Sequence, residues 1–365
     1  MRMVQSAGIG TYLQELVPRL FKVLSQPAFC LLGRADLLRG FSWAQHPNIR
    51  IIDCRAGIYS LREQVELPMR IPRDTTLYWS PHYNIPLWYR GPLLVTVHDT
   101  FHLAMPQFVE GWHRRAYARL MFRAVRAKAA AIVCVSRFAR DQLLQFVPEG
   151  RQDVTVVHNG VDASWFAPVP GGPPHGKPYV LFVGSVKPHK NLSRLLEAFA
   201  LLQTHIPHDL VIIGRREGLI TGDASAMAMA SAMSDRVICV GELDHGDERL
   251  RRFYRYADVL VMPSLYESFG LPALEALASG CPVIVSRVAG LPEVYGEGAM
   301  YCDPYDPSDI AERIRLMVSD RGVRERYLTA GQAVATQYDW DTTAEKLAAV
   351  VCASRLRRVE SQACR

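Results

Sequence analysis

Two glutamates eight residues apart, Glu267 and Glu275, are the side chains of this 365-residue chain whose types and spacing best fit chemistry. Glu267 falls in a loop before a Phe-Gly-Leu-Pro turn. Glu275 falls one or two turns into a helix predicted over 272–279, where proline suits the first turn. Free amides at a helix N-terminus bind phosphate, and carboxylates beside them accept hydrogen bonds from sugar hydroxyls. The pattern therefore predicts a site shaped for a nucleotide sugar.

A second candidate is the glycine-rich turn between a strand predicted over 179–183 and a helix predicted over 191–202. Lys190 lies at the mouth of that helix, where Asn191 can cap it. A lysine in this position is suited to neutralise a diphosphate. Ser185 and Lys187 lie in the same turn and are candidate donor-binding residues. The alternative is a set of surface residues on a basic protein.

Two further candidates lie in the N-terminal half. Gly8 and Gly10 precede a predicted helix, and glycines in that position let a phosphate approach the backbone closely. A tight turn is the alternative. His98 ends a strand predicted over 93–97, where ligand-facing residues of an α/β sheet lie. His98 could donate a hydrogen bond to a sugar hydroxyl while Asp99 orders the loop, or it could be a structural histidine.

Short apolar runs recur along the chain, and helical patterns separate several of them. They are β-branched and nearly free of alternation, which is typical of parallel strands buried on both faces. The alternation of strand and helix predicts an α/β doubly wound sheet. The predicted strands cover 93–97, 131–135, 154–157, 179–183, 210–213, 237–240, 259–262 and 283–285, and the clearest helices cover 191–202, 248–256 and 272–279.

A proline- and glycine-rich segment over 167–178 breaks this alternation and reads as an exposed linker. It predicts an N-terminal Rossmann-like domain over 1–166 and a C-terminal nucleotide-sugar-binding domain over 179–336, facing each other across a cleft that would close to exclude water. A helix and basic tail over 337–365 could cross back to the N-terminal domain.

Composition indicates a globular protein, with 49% hydrophobic and 21% charged residues. The eight cysteines include no C-x-x-C pair, which argues against a zinc site and favours reduced thiols in the cytosol. No secretory signal is visible, and the apolar runs reach about seven residues where a membrane span needs about twenty. We therefore expect a cytoplasmic protein, soluble or peripheral at the inner face of the cell membrane.

The formal net charge of +6 has a local origin. Between Glu110 and Asp141 there is no acid, and a predicted helix near 114–128 carries arginines at helical spacing. Such a helix suits an anionic membrane surface, with a solvated helix face as the alternative. No nucleic-acid motif or aromatic platform accompanies it, so nucleic-acid binding is not expected. The arginines at helical spacing are Arg115, Arg119, Arg123 and Arg126.

Together these segments resemble the family 4 retaining glycosyltransferases of GT-B architecture. The likeness lies in the order, spacing and context of motifs along nearly the whole chain, and the stretch from Glu267 to Glu275 with its flanks is its most specific part. The supporting motifs are Gly8-Ile9-Gly10-Thr11-Tyr12, Val97-His98-Asp99, Val133-Cys134-Val135-Ser136-Arg137-Phe138, Val156-Val157-His158-Asn159-Gly160-Val161-Asp162, Phe182-Val183-Gly184, Lys190-Asn191 and Gly280-Cys281-Pro282-Val283-Ile284.

The resemblance implies a role for each matching residue. Glu267 is similar to the family's glutamate beside the transferred sugar, and Glu275 to the one that holds the ribose hydroxyls. Lys190 resembles the phosphate-binding lysine. The remaining assignments place the amides of Phe269, Gly270 and Leu271 at the diphosphate, Gly10 at the β-phosphate side and His98 at the donor sugar.

Two departures from the family pattern stand out. Many relatives have an arginine where this chain has Ser185, and Lys187 could supply part of that charge. Relatives usually begin with a full hydrophobic strand before the glycine loop, so we expect the reading frame to start late.

The resemblance implies a retaining hexosyltransferase that uses a nucleotide sugar, with GDP-mannose as first choice and no essential metal, because no D-x-D-type pair is evident. The acceptor would be a lipid-linked glycan or a polysaccharide of the cell surface, such as O-antigen or capsule. Two alternatives remain: a nucleotide-sugar epimerase or hydrolase of GT-B shape, and a non-catalytic carbohydrate- or membrane-binding scaffold.

Overall fold

The chain alternates parallel strands with helices, as its apolar runs predict. The computed structural model describes residues 1–6, 8–24, 28–150, 152–214 and 223–363, with side chains described as far as Arg355. The strands are β1 Phe29–Gly33, β2 Ile49–Asp53, β3 Tyr78–Ser80, β4 Leu93–Val97, β5 Ala131–Cys134, β6 Val154–Val156, β7 Tyr179–Val183, β8 Asp209–Ile213, β9 Val237–Gly241, β10 Val259–Met262, β11 Val283–Ser286 and β12 Met300–Cys302. The helices are α1 Ile9–Val23, α2 Ala35–Leu38, α3 Leu61–Arg70, α4 Phe101–Ala104, α5 Trp112–Lys128, α6 Arg137–Phe146, α7 Leu192–Leu202, α8 Ala224–Ala232, α9 Glu248–Tyr256, α10 Leu271–Ala278, α11 Leu291–Tyr295, α12 Pro307–Ser319, α13 Arg321–Ala335 and α14 Trp340–Ala363.

The chain forms two compact units. Met1–Gly160 and Trp340–Arg365 make the first, and Val161–Asp339 makes the second. The boundary therefore lies at residue 160, not in the proline- and glycine-rich segment over 167–178. The final helix, α14, belongs to the first unit. Of the basic tail, the side chains after Arg355 lie outside the described residues.

In the first unit the described strands form two parallel sheets. One pairs β1 with β2, and the other has the order β3-β4-β5-β6. All five residues of β4 are buried, and α1 buries one apolar face. Trp340 of α14 packs edge-on against Tyr12 of α1, with 5.9 Å between ring centroids. The buried apolar side chains of α1 are Tyr12, Leu13, Leu16, Val17 and Leu20.

The second unit contains one parallel sheet with the strand order β12-β11-β10-β7-β8-β9. The chain runs from β7 outward to β9 and then returns to β10 on the other side of β7. The neighbouring strands β7 and β10 therefore mark the point where the direction of winding reverses, and ligands bind at the carboxyl ends of strands at such a point. The turn after β7 and the loop after β10 meet there, and they carry the candidate residues Lys190 and Glu267.

The segment over 167–178 contains neither helix nor strand, as predicted, but it packs within the second unit. Tyr256 donates a hydrogen bond to the carbonyl of Gly171 at 2.9 Å, and the Arg252 guanidinium donates to that of Gly172. His175 lies 2.8 Å from a carboxylate oxygen of the buried Asp209 at the start of β8. These contacts explain why the unit boundary precedes the segment.

Two other features complete the description of the fold. Residues 2–6 form turns before α1, where the family resemblance leads one to expect a full strand. In the described part of the chain, no helix combines the length and apolar character that a membrane crossing requires. The cysteines of that part are free thiols, with Cys134 buried in β5 and Cys239 half-buried in β9.

Candidate functional site

The centre of the candidate site is an ion pair between Lys190 and Glu267. Lys190 ends the turn that follows β7, and its Nζ donates a hydrogen bond to Glu267 Oε2 in the loop that follows β10. The two side chains are 21% and 18% exposed, so both can reach a ligand while their pairing is shielded from bulk water. The structure thus brings together two of the residues that the sequence singled out.

Asn191 joins the turn that follows β7 to the loop that follows β10. Its Nδ2 donates to the carbonyl of Pro263 at 2.9 Å and to that of Pro304 at 2.7 Å. The residue occupies the N-cap position of α7 in a left-handed conformation, with φ of 62°, and its side chain does not cap the helix. The predicted capping bond is therefore wrong. The amide instead fixes the loop after β10 beside the turn after β7.

Glu275 is buried in α10, and both of its carboxylate oxygens have partners in the second unit. Oε1 lies 3.1 Å from Nε2 of His245, and Oε2 accepts a hydrogen bond of 3.0 Å from the Tyr254 hydroxyl. The His245 ring packs against Trp165, with 5.3 Å between centroids. Sequence reasoning missed His245 and Tyr254. A histidine shortly after the carboxyl end of β9 was the available signal.

Tyr295 connects the surroundings of the two glutamates. Its hydroxyl donates to the carbonyl of Gly270. Burial, together with the negative charges of Glu267 and Glu275, raises the pKa of Tyr295 well above its ordinary value. Both carboxylates therefore act on the same buried phenol, which remains protonated and keeps its hydrogen bond to the turn before α10.

The start of α10 offers anion-binding groups beside these carboxylates. Gly270 is the N-cap residue with φ of 84°, a conformation that favours glycine. Pro272 has no N–H, and the Ala273 amide donates to the Gly270 carbonyl at 3.0 Å, so Leu271 carries the first-turn amide that can face an anion. Phe269 is buried with its ring edge-on to Tyr338, so it anchors the turn, and Leu271 begins the helix. The buried hydroxyl oxygens of Ser264 and Ser268 have no partner among the described residues.

Ser185 and Lys187 lie in the turn after β7, as predicted. The Ser185 carbonyl accepts a hydrogen bond of 2.9 Å from the amide of Lys187, which closes the turn. Lys187 and Lys190 flank His189, and burial with these two charges lowers the pKa of His189 to about 2. The histidine is therefore neutral at pH 7, and the two lysines supply the positive charge of the turn.

His98 follows β4 in the first unit, at the predicted strand end. Its Nε2 lies 3.0 Å from the carbonyl of Pro81, and its ring meets Tyr12 edge-on at 4.7 Å. Burial lowers the pKa of His98 to about 4, so the ring is neutral at pH 7. Because a carbonyl only accepts, Nε2 carries the proton and Nδ1 is an acceptor. In this tautomer Nε2 is used by Pro81, and a contact of His98 with a sugar hydroxyl, which stays a prediction, would be made through Nδ1 as acceptor. Asp99 orders the loop as predicted, accepting from the Phe101 amide at 2.9 Å.

Gly8 precedes α1 and Gly10 lies in its first turn, and the two glycines differ in what they can offer. Gly8 is the N-cap residue, with φ of 63° and open space around it. The amide of Gly10 donates to the carbonyl of Ser6 at 2.7 Å, and a Cβ on Gly10 would lie 2.7 Å from the carbonyl oxygen of Val4. Gly10 is therefore required for packing against residues 3–6. Its predicted phosphate contact is not available through the amide.

Among the described residues, no group of three or more His, Cys, Asp or Glu side chains is arranged to hold a metal ion.

Two family models match the chain. The model for glycosyl transferases group 1 matches residues 164–334, and the model for glycosyltransferase family 4 matches residues 74–165. A D-inositol 3-phosphate glycosyltransferase from Streptomyces avermitilis is 30% identical in an alignment that covers 98% of this chain and 86% of the relative. The chain belongs to the family 4 glycosyltransferases. This membership confirms the predicted family and the predicted class of enzyme.

Other relatives of this glycosyltransferase carry different names. A glycogen synthase from Mycobacterium tuberculosis is 30% identical over 75% of the chain, which spans 66% of that relative's length. An O-antigen chain mannosyltransferase B from Escherichia coli is 28% identical over 73% of the chain and 71% of the relative. Because these names differ in substrate, membership of the family leaves the donor and the acceptor open.

Solved structures with low sequence identity share the fold. Sucrose-phosphate synthase from Thermosynechococcus elongatus matches with a TM-score of 0.76 at 21% identity, covering 98% of this chain and 94% of that one. Anabaena HepE in complex with UDP and glucose matches with a TM-score of 0.74 at 17% identity, covering 96% and 98%. The likeness confirms the predicted α/β GT-B fold class of the glycosyltransferase.

Proposed function

We propose that this glycosyltransferase moves a hexose, with retention of anomeric configuration, from a nucleotide sugar to a lipid-linked or polysaccharide acceptor in cell-surface glycan synthesis. The observation that carries the proposal is the Lys190–Glu267 pair at the carboxyl ends of β7 and β10, beside the buried Glu275 and the start of α10. The complex of Anabaena HepE with UDP and glucose supports a nucleotide-sugar donor.

Each residue has a task in the proposed reaction. The bond between the anomeric carbon and the diphosphate oxygen breaks, and its electron pair leaves with the diphosphate. Lys190 and the backbone amides of the turn from Phe269 to Leu271 stabilise that charge, because donors fixed at the site of developing charge need no reorganisation. The acceptor hydroxyl then bonds to the anomeric carbon, and its proton passes to the departing phosphate or to Glu267.

Retention is compatible with two routes. In one, Glu267 attacks the anomeric carbon and forms a glycosyl-enzyme that the acceptor then opens. In the other, Glu267 stabilises the oxocarbenium-like sugar while the leaving phosphate assists the acceptor on the same face. Both routes need a carboxylate at position 267, and the Lys190 ammonium lies against its Oε2 atom.

Mannose is our first choice of donor sugar, with GDP-mannose as the donor. The Escherichia coli O-antigen chain mannosyltransferase B among the relatives supports this choice. A panel of GDP-mannose, UDP-glucose, UDP-galactose and UDP-GlcNAc, scored by thermal shift, tests it because the right donor stabilises the folded form. A larger rise in melting temperature with any of the three UDP-sugars would make that sugar, and not mannose, the proposed donor sugar. NMR of the product then reports the anomeric configuration, and inversion would contradict the mechanism.

The competing nucleotide-sugar hydrolase or epimerase differs in its need for an acceptor. We expect donor consumption to be slow without an acceptor and to rise when one is supplied, since transfer requires both substrates. Activity in EDTA should equal activity in added magnesium if no metal is essential. Full turnover of donor alone, or strict dependence on magnesium, would overturn these parts of the proposal.

His245 provides a mutational test of the proposed ribose end of the site. His245→Phe keeps a ring against Trp165 but removes the nitrogen 3.1 Å from Glu275 Oε1. We expect the donor KM to rise about tenfold with a smaller change in kcat, because a hydrogen bond to a charged group contributes about 1.5–3 kcal/mol. His205→Phe, at an exposed histidine following α7, is the matched control. Equal donor KM values in the two variants would reject this assignment.

We propose that the protein is cytoplasmic and meets its acceptor at the inner face of the cell membrane. The basic helix α5 is the feature that supports an anionic membrane as partner, since such a surface attracts arginine side chains. A polyprenyl- or lipid-linked acceptor would be reached at that surface.

A further inference from the structure

The exposed face of α5 combines arginines with large apolar side chains. Arg115, Arg119 and Arg123 are exposed and have no hydrogen-bond or ion-pair partner among the described residues, and Trp112 and Leu120 are exposed beside them. Arg126, which the spacing assigns to the same face, is buried instead, where its guanidinium donates to three backbone carbonyls. Those carbonyls belong to Val147, Gly150 and Gln152. The free cationic face therefore consists of three arginines.

Helix α3 exposes an apolar stripe of its own. Leu61 and Met69 are 89% and 80% exposed, and Val65 between them is also exposed, at a spacing of four residues that places all three on one side of the helix. The opposite side is buried through Glu63, Gln64 and Leu67. An apolar helix face of this kind in a folded unit marks an interaction surface, because single exposed apolar residues are common but aligned ones are not.

A buried polar bridge joins α3 to α5. Asn84 Nδ2 donates to Glu63 of α3 at 2.7 Å, and the hydroxyl of Tyr117 of α5 donates to Asn84 Oδ1. Tyr59, just before α3, packs edge-on against Tyr117 with 6.1 Å between centroids. The two helices are therefore linked within one unit by side chains that lie on their inner faces.

The loop that follows Asn84 adds a further aromatic residue to this region. Gln64 of α3 accepts from the Leu87 amide at 2.9 Å, and Lys128 of α5 donates to the Leu87 carbonyl. The loop thus lies against both helices, and Trp88 beside Leu87 is 68% exposed. Arg90 and Arg70 are exposed nearby in sequence, with no partner among the described residues.

We propose that the outer faces of α3 and α5, with Trp88 between them in the chain, form one docking surface for an anionic lipid bilayer. We call this the lipid surface. The inference rests on the proposed function and specifies which residues would contact its membrane partner. The charge complementarity decides the occupant: unpaired arginines match anionic headgroups, while tryptophan and aliphatic side chains fit the boundary between headgroups and acyl chains. Glu110 is the exposed acid next to Trp112, before α5 begins.

Vesicle co-sedimentation with the full chain tests the lipid surface. We expect binding to vesicles of phosphatidylglycerol and phosphatidylcholine and much weaker binding to phosphatidylcholine alone. Arg115→Glu with Arg119→Glu and Arg123→Glu should lower the partition constant at least about 100-fold, given the attraction of an anionic leaflet for each arginine. Leu61→Gln with Met69→Gln should lower it about tenfold or more, because insertion of each apolar side chain is lost. If the Leu61/Met69 variant binds vesicles as the unmodified chain does, α3 is not part of the lipid surface.

The controls lie in the second unit. Arg315→Glu with Arg321→Glu and Arg326→Glu changes the net charge equally at exposed positions, and Leu201→Gln removes an exposed leucine. Both control variants should bind vesicles as the unmodified chain does. Equal loss in the control arginine variant would show that net charge alone governs binding. Sedimentation velocity without lipid examines the other occupant, a second copy: a dimer that Leu61→Gln with Met69→Gln dissociates would overturn the lipid assignment.

The same variants separate this inference from the proposed reaction. Donor-induced thermal shifts do not require lipid, so they should be unchanged in the α3 and α5 variants. Absent vesicle binding with intact donor turnover would reject the lipid surface alone. Vesicle binding without any donor binding would reject the glycosyl transfer alone.

Discussion

Glu267→Gln is expected to lower kcat by about 10²–10⁴-fold while the protein keeps its fold and its affinity for the donor. The substitution preserves the shape of the side chain and removes its negative charge. That charge is held beside Lys190, 18% exposed, at the carboxyl ends of β7 and β10. Losing a carboxylate that acts on the reacting centre removes stabilisation of the transition state, and effects of this size are usual for such groups. Steady-state kinetics with the donor and an acceptor measure the loss.

Glu312→Gln is the control for this experiment, because Glu312 is an exposed glutamate on α12 that pairs with Arg315. It should leave kcat unchanged. A Glu267→Gln enzyme with kcat within threefold of the unmodified enzyme would exclude a role for Glu267 in the reaction. Glu267→Ala with added azide separates the two retaining routes. Azide can fill the position that the carboxylate leaves, and it would form a glycosyl azide only if that face of the sugar is open to a nucleophile, as the glycosyl-enzyme route requires.

Strands in both units could be predicted from the sequence where they are buried along nearly their whole length. The strands predicted over 93–97, 179–183 and 259–262 match β4, β7 and β10 residue for residue, since apolar β-branched runs there end at polar residues, glycine or proline. Four of the described strands were not predicted: two are three residues long, one carries a charge within it, and one is an uncharged run of five residues. They are Phe29–Gly33, Ile49–Asp53, Tyr78–Ser80 and Met300–Cys302, of which the second contains Arg50.

The spacing of motifs located the centre of the candidate site but not its supporting contacts. Lys190 and Glu267 could be placed together because both follow strands, and the carboxyl ends of neighbouring parallel strands share one edge of a sheet. The partners of Glu275 could not be placed in this way. His245 lies 30 residues from Glu275 in sequence, and its contact depends on how the loop after β9 folds over Trp165.

Periodicity also cannot tell an exposed arginine from one that is buried and hydrogen-bonded. Arg126 has the spacing of the basic face of α5, yet it satisfies the carbonyls of a loop some 21–26 residues away. Gly10 is a similar case, because its place at the start of α1 fits phosphate binding, while its amide donates to the carbonyl of Ser6. A tertiary contact decides the role of Arg126 and a hydrogen bond to a carbonyl four residues earlier decides that of Gly10, and helical spacing alone indicates neither.

Lys190→Met is the second change with a large expected effect. We expect kcat/KM for the donor to fall by about 10²–10³-fold, because one preorganised group that stabilises developing negative charge contributes about that much. Part of the loss should appear in KM, since the ground-state diphosphate is also anionic. Lys177→Met is the matched control: Lys177 pairs with Asp209 at the start of β8, the strand end opposite the site. If Lys190→Met lowers kcat/KM no more than Lys177→Met does, Lys190 has no role in the proposed chemistry.

The ion pair makes Lys190→Met informative about stability as well as catalysis. Removing the ammonium leaves the Glu267 carboxylate largely shielded from water without its partner, which destabilises a folded protein. We therefore expect Lys190→Met to lower Tm and the double variant Lys190→Met with Glu267→Gln to recover most of that loss. Activity should not recover, because each group acts on a different part of the donor. Recovery of kcat/KM together with Tm would mean that the two residues serve the fold alone, and it would remove both from the mechanism.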